Sequence, residues 1–449
     1  MTIKKKELKE IYFIFDKGDK FIRKYKIKCD FPEEYIFEND NTIYVSLQNF
    51  NDFSVLEQNY FLTLIGTQLY QKVGLGDYEI VNVEDNQKLE NIFLGWNLGN
   101  YQFNKFKTSS RKTLPKKTLK VSFDSQRIAR VLCSVRDLVN QPANFLGPSE
   151  IHNFAKKELK GLVDSYSVIK GEKLKKQFPL IYTVGRGAEK NKQPILSKFK
   201  WKSKQKRKVK KIFLIGKGVS FDTGGLNLKL GSSMSLMKKD MGGAANCIGL
   251  AKLLLQKNLN IELNLLLCLV ENSVSEKSMR PSDIVRAKNK MFVEIKDTDA
   301  EGRLILADAL TFASSFRPDL IIDLATLTGA SRVALGTDVP SFFCNNKLLS
   351  KQIMQASEFV GDPVWELPLW KNYLSSLRSQ HADICNLGNG PFGGAITAAL
   401  FLEKFVGKNI PWIHVDMMAW ANGNTFSPYQ GGEAMAIRAL SFLIEKISS

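Results

Sequence analysis

The feature that most narrowly limits the fold is an alternation from residue 141 onward between continuous apolar runs and segments of helical character. "KIFLIGKG", "IELNLLLCLVENSV", "PDLIIDLATLTG" and "PWIHVDMMAW" are apolar stretches of strand length, while "GGAANCIGLAKLLLQKN", "EGRLILADALTFASSF" and "GGAITAALFLEKFV" between them read as helices. Strands apolar on both faces belong inside a sheet covered by helices. The pattern predicts an α/β catalytic domain over 141–449, with a central mostly parallel (mixed) sheet flanked by helices. Residues 1–121 mix short apolar runs such as "IYFIF" and "YFLTLIGTQLY" with turn residues, which predicts a small N-terminal α/β domain. In "SFDSQRIARVLCSVRDLVN", Ile128, Val131, Leu132, Val135 and Leu138 share one helical face, so a connecting helix is expected over 122–140.

No apolar run approaches the roughly 18 residues of a membrane span. The start, "MTIKKKELKEIYFIFDKGDKF", lacks the apolar core and cleavage site of a secretory signal. Six scattered cysteines with no CxxC pair argue against a zinc finger or a disulfide framework, and for a reducing, cytoplasmic setting. The net charge is +19, and residues 151–210 supply +14 of it, with 18 Lys/Arg against 4 Asp/Glu. The densest run is "KSKQKRKVKK", Lys202 to Lys211. It reads as a solvated lysine-rich face; the sharper reading of the 151–211 segment is a nucleic-acid contact. No helix-turn-helix, zinc or RNA-binding signature accompanies it.

Three histidines leave any metal centre resting mostly on carboxylates. "GKGVSFDTGG" is neither a P-loop nor a dinucleotide fingerprint, because Gly218 follows Lys217 and Phe221 stands where a third glycine is needed. Asp240, just before a glycine-rich helix start, reads alone as an N-cap. In "KDTDAEGRLILADAL", Asp297, Asp299, Glu301 and Arg303 alternate and would face one side of an extended chain. Three acids gathered there are costly unless a cation binds. Lys229 alone is an ordinary surface lysine. Together, Asp222, Asp240, Asp299 and Glu301 offer four carboxylates near strand ends, where α/β sheets gather ligands. Such oxygen-rich sets suit Mn, Mg or Zn.

"GKGVSFDTGG", "MKKDMGGAAN" and "DTDAEGRLILADAL", in this order and spacing, resemble the leucine (cytosol) aminopeptidase family of dinuclear metallopeptidases. "RDLVNQPANFLGP", "DLATLTGA", "ADICNLGNGPFGGAITAALFL" and "WIHVDMMAWA" extend the resemblance over 123–449, and "LGWNLGNYQFNKFK" carries it into the N-terminal part. The resemblance implies removal of N-terminal residues from peptides with a free N-terminus. It implies two divalent ions, Mn or Zn, with Mg a candidate at the exchangeable position. Lys217, Asp222, Asp240 and Glu301 would hold the tight ion, with Lys217 deprotonated, and Asp222, Asp299 and Glu301 the exchangeable one. Lys229 would polarise the scissile carbonyl, and Arg303 would hold a bicarbonate general base. Met237, Thr326 and Gly329 would line the first side-chain pocket, favouring leucine-like residues, and the Leu327 carbonyl would help hold the substrate. A homohexamer is expected from the same resemblance.

Three departures stand out. Asp297 replaces a usual asparagine, adding negative charge that would bear on metal preference. Glu433 and Ala434, in "GGEAMAIRALSFL", replace a usual alanine-threonine-glycine pattern beside the specificity pocket. The N-terminal domain is shorter than usual. His414 reads as a core strand residue, and His381 as structural or as part of the site entrance.

Overall fold

The computed structural model describes residues 8–15, 36–39, 41–47, 50–108, 117–205, 209–423 and 430–448. The chain forms two compact units. The first runs to Cys133 and takes in Ser357–Asp362 together with Asn422, Gly423 and Gln430. The second holds Ser134–Ala356, Pro363–Ala421 and the C-terminal segment. The division at Cys133 falls within the helix Phe123–Asn140.

In the first unit, strands β1 (Leu8–Ile14), β2 (Ile36–Asn39), β3 (Thr42–Ser46), β4 (Gly76–Ile80) and β5 (Lys117–Leu119) form one sheet in the order β2-β3-β1-β4-β5. Helices α1 (Val55–Lys72) and α2 (Asn86–Gly99) cross at two glycines. A Cβ on Gly66 would lie 2.2 Å from the Ile92 carbonyl oxygen, and one on Gly95 would lie 2.0 Å from that of Thr63. Only glycine lets the two backbones approach this closely.

The second unit is built on an eight-stranded sheet. Its members are β6 (Ser165–Lys170), β7 (Ile195–Lys202), β8 (Lys210–Asp222), β9 (Ile261–Asn272), β12 (Leu320–Ala325), β13 (Ser341–Cys344), β14 (Trp365–Glu366) and β16 (Trp412–Asp416). A side sheet holds β10 (Ile284–Arg286), β11 (Phe292–Glu294) and β15 (Ile384–Cys385). The main order is β14-β13-β16-β12-β8-β9-β7-β6. The four central strands β16, β12, β8 and β9 pair parallel, while β13, β7 and β6 join antiparallel. This is the mostly parallel, mixed sheet that the apolar runs predict.

Three further helices position the site: α3 (Gly242–Leu255), α4 (Gly302–Ser314) and α5 (Gly329–Leu335). Strand alternation divides β8 between its two faces. Phe213, Ile215 and Val219 enter a core with Leu304, Ile305 and Leu306 of α4. Gly216 and Gly218 face α3, where a Cβ on Gly216 would lie 2.6 Å from the Ala244 Cα. These two glycines therefore serve strand–helix packing. Lys217, between them, projects toward the start of α4.

His414 in β16 is fully buried, stacked 6.1 Å from the Trp412 ring and 5.8 Å from Phe343. Its Nδ1 lies 2.5 Å from Asp323, which also accepts from the Trp412 indole at 2.6 Å. It is a core residue. Burial pulls its pKa down, but Asp323 outweighs burial and raises it above 6.5. The charged pair therefore stabilises the fold fully below pH 6.5 and is lost as pH rises through the raised value. In chemical denaturation, the wild type is expected to lose more stability between neutral and alkaline pH than His414→Asn; equal losses would contradict the pairing.

The basic segment lies on the outer strands and helices of this unit. Lys156, Lys157, Lys160, Lys170, Lys173, Lys175 and Lys176 are exposed, while Lys206, Arg207 and Lys208 lie outside the described residues. Among the described residues, no helix is long and apolar enough to cross a membrane.

Candidate active site

Four separate segments bring their charged residues to one cavity of about 280 Å³. β8 supplies Lys217 and Asp222, the latter after a register shift against β9 between Val219 and Asp222. That irregularity re-aims the strand end. The following turn supplies Lys229. Gly224 and Gly225 sit at φ +86° and +66°, and the Lys229 N–H donates to the Thr223 carbonyl at 2.9 Å. A Cβ on Gly224 would meet the Asn227 oxygen at 2.5 Å, so the turn that returns Lys229 to Asp222 needs glycine.

Asp240 lies in a 3-10 turn, Met237–Met241, ahead of α3. It is not the helix N-cap: Met241 holds that position and makes no side-chain cap. Instead Asp240 accepts from the Lys217 ammonium at 2.7 Å and from the Thr326 hydroxyl at 2.8 Å. Asp299 and Glu301 occupy a turn, not the extended segment expected from their alternation. Asp297 makes that turn by accepting the Asp299 N–H at 2.8 Å.

Two lysines hold the carboxylates together. Lys217 is buried and also reaches the Thr326 carbonyl at 2.8 Å and Glu301 at 3.1 Å. Lys229 pairs with Asp222 at 2.8 Å and with Asp299. For both lysines, burial lowers the pKa, but the surrounding carboxylates outweigh it and raise the value. Burial and neighbouring carboxylates push Asp299 up to about 7, and raise Asp240 and Glu301 as well. Arg303, in the first turn of α4, is buried and lowered to about 10 by that burial. It donates to the Asn386 carbonyl at 2.7 Å, and its Nε has no hydrogen-bond partner among the described residues.

This set fits divalent cations. Asp222, Asp299 and Glu301 bring carboxylate oxygens within 4.8 Å of one another. Asp240 Oδ2 and Glu301 Oε1 are buried without a hydrogen bond among the described residues, although Glu301 Oε1 faces the Lys217 ammonium. Excess buried carboxylate of this kind is what a hard cation compensates.

Met237, Thr326, Leu327 and Gly329 all line the cavity, and so does Asp297. Residues the sequence reading passed over also line it: Lys239, Arg332, Leu387 and Met417. Burial lowers Lys239 to about 8. The doubled lysine in "MKKDMGG" was the available signal. Asp416 lies behind the wall, accepting from the Leu327 and Thr328 N–H groups at 2.9 and 3.1 Å.

His381 is exposed and not among the lining residues, and His152 bonds Ser197 at 2.7 Å. Glu433 and Ala434 do not line the cavity either. Glu433 accepts a two-pronged bond from buried Arg136, 2.9 Å at each contact, a pairing across 297 positions of sequence. That departure therefore forms a buried ion pair. Glu433→Gln removes the countercharge of a buried guanidinium and is expected to cost about 1–3 kcal/mol in unfolding free energy, measured by urea titration; an unchanged midpoint would contradict it.

Comparison with known proteins agrees with this geometry. A family model described as the cytosol aminopeptidase family, catalytic domain, matches residues 133–441. A probable cytosol aminopeptidase of Aquifex aeolicus is 36% identical over 364 residues, covering 78% of this chain and 73% of that protein. The crystal structure of the cytosol aminopeptidase from Coxiella burnetii superposes with a TM-score of 0.88 at 34% identity, covering 100% of this chain and 99% of that one. The bottromycin maturation enzyme BotP, in complex with Mn, superposes with a TM-score of 0.86 at 27% identity, covering 98% and 99%.

Proposed function

The chain belongs to the cytosol aminopeptidase family, and on that premise we propose that it releases single N-terminal residues from peptides at a centre of two divalent cations held by Lys217, Asp222, Asp240, Asp299 and Glu301. The observation that carries this reading is the convergence of those five residues with Lys229 and Arg303 on one cavity. Cations bound there supply a Lewis acid for the peptide carbonyl and a water of lowered pKa. Mn or Zn suits the donor set, with Mg a candidate at the exchangeable position.

The chain's own residues do the rest. Asp222 and Glu301 would belong to the ligand sets of both cations. Lys217 would hold a cation through its neutral amine, its proton passing to solvent as the cation takes over the pairing with the carboxylates, while the Thr326 carbonyl keeps the amine in place. Lys229 stands at the cavity wall, where its ammonium turns from Asp222 to the carbonyl oxygen that becomes anionic as water adds. The buried, unpaired Nε of Arg303 suits a small anion such as bicarbonate, which would take the proton of the attacking water. The acidic end of the cavity suits the substrate's free α-amine, which restricts cleavage to the first residue. The Leu327 carbonyl would help hold the peptide. A cytosolic homohexamer is part of the same reading, and light scattering measures it.

The test is hydrolysis of leucine chromogenic amide by metal-stripped protein before and after addition of Mn²⁺, Zn²⁺ or Mg²⁺. Activity that appears only with metal supports the reading; full activity after stripping would overturn it.

A further inference from the structure

We propose that the first side chain of the substrate is read by a buried cation, Lys239, so that the enzyme prefers peptides beginning with aspartate or glutamate to those beginning with leucine. The inference rests on the aminopeptidase reading above and specifies the substrate class of that site.

Lys239 stands in the Met237–Met241 turn and lines the cavity, yet is only 4% exposed. Its ammonium makes no hydrogen bond or ion pair with any described residue. The other lysines near the site are all engaged. Lys217 and Lys229 each face two carboxylates. Lys238 turns away, donating to the Asn140 carbonyl at 3.0 Å and standing 5.3 Å over the Trp420 ring.

A second cation, Arg332 of α5, lines the same cavity. Its Nη1 rests 3.3 Å from the Met418 sulfur, a weak acceptor, and it has no carboxylate partner among the described residues. Asp240 and Asp416 act on Lys239 through space, but neither hydrogen-bonds its ammonium, and the Asp240 Oδ2 left free of hydrogen bonds among the described residues is one of the proposed metal donors. Asp416 accepts from two backbone N–H groups and the Thr328 hydroxyl, and Asp240 Oδ1 accepts from Lys217 and Thr326.

The wall formed by Met237, Thr326, Gly329, Ala330 and Met417 is thus mostly apolar but carries two cations with no hydrogen-bonded carboxylate partner among the described residues. Burying an ammonium without a partner is costly, and a carboxylate arriving on the substrate's first side chain offsets that cost. A leucine side chain would instead cover the ammonium and leave it unpaired, and sites built around a polar contact reject ligands that cannot make it.

The test compares kcat/KM for aspartyl, glutamyl and leucyl amides of one chromophore, using metal-loaded wild type, Lys239→Met and Lys239→Arg. The expected result is an acidic-to-leucine ratio above one in the wild type. Lys239→Met should lower that ratio by at least about tenfold, with leucyl hydrolysis rising, and Lys239→Arg should keep it. A wild-type ratio below one that Lys239→Met leaves unmoved overturns the inference while the aminopeptidase reading stands. Failure of the wild type on every amide with every metal overturns both. If Lys239→Met does not melt cooperatively, product binding to the wild type decides: greater thermal stabilisation by free aspartate than by equal leucine supports the inference, and the reverse overturns it.

Discussion

A metal-loaded Lys229→Ala enzyme is expected to hydrolyse its best amide substrate about 10²- to 10³-fold more slowly in kcat, with its metal content unchanged. The reason is the position of this side chain. Lys229 reaches the site from the turn after β8, pairs with Asp222 and Asp299, and is not among the residues proposed to hold the cations. Removing it deletes a donor aimed at developing negative charge and leaves the carboxylate set in place. Lys229→Arg should recover little, because the planar guanidinium does not reproduce a point charge in a confined wall. A small loss of kcat together with a large rise in KM would instead assign Lys229 to ground-state binding.

The second large effect is expected at a residue with no side chain. A Cβ on Gly302 would lie 2.5 Å from Lys217 Cε, 2.8 Å from Cδ and 2.9 Å from Nζ. Lys217 cannot swing clear, because Asp240, Glu301 and the Thr326 carbonyl enclose its ammonium. At a helix start alanine is normally better than glycine, so propensity alone predicts a slightly more stable Gly302→Ala protein. Overpacking predicts the opposite, a loss of about 1–3 kcal/mol, with Lys217 displaced and the metal content and activity lost together. Gly74→Ala is the control, because a Cβ there meets nothing within 4 Å. Gly302→Ala protein that kept full metal content would show that Lys217 does not hold a cation.

The sequence made some of this legible and hid the rest for physical reasons. The central parallel strands were readable because burial on both faces leaves a continuous apolar run, as in β9 and β12. Asp222, Asp240, Asp299 and Glu301 were readable as a set because each stands at the end of such a run or at a helix start. Their local conformations were not. Asp240 has the sequence setting of an N-cap, yet a 3-10 turn aims it at Lys217. Asp297 and Asp299 alternate like strand residues, yet one caps the other in a turn. Gly216 and Gly218 lie in mid-strand, and only the approach of Ala244 explains them. Arg136 and Glu433 are 297 positions apart, so no local pattern could pair them. Lys239 and Lys238 are indistinguishable in "MKK", and only the turn decides which one enters the cavity.

On the two-metal reading, the converging residues hold two cations and catalysis depends on both. Its most direct test is a titration of metal-stripped protein with Mn²⁺, following bound metal by elemental analysis and amide hydrolysis on the same samples. Saturation is expected at two ions per chain with activity tracking the second, and at one ion or fewer in Asp222→Ala. Full activity with no bound metal, or an unaltered two-ion saturation in Asp222→Ala, would contradict it.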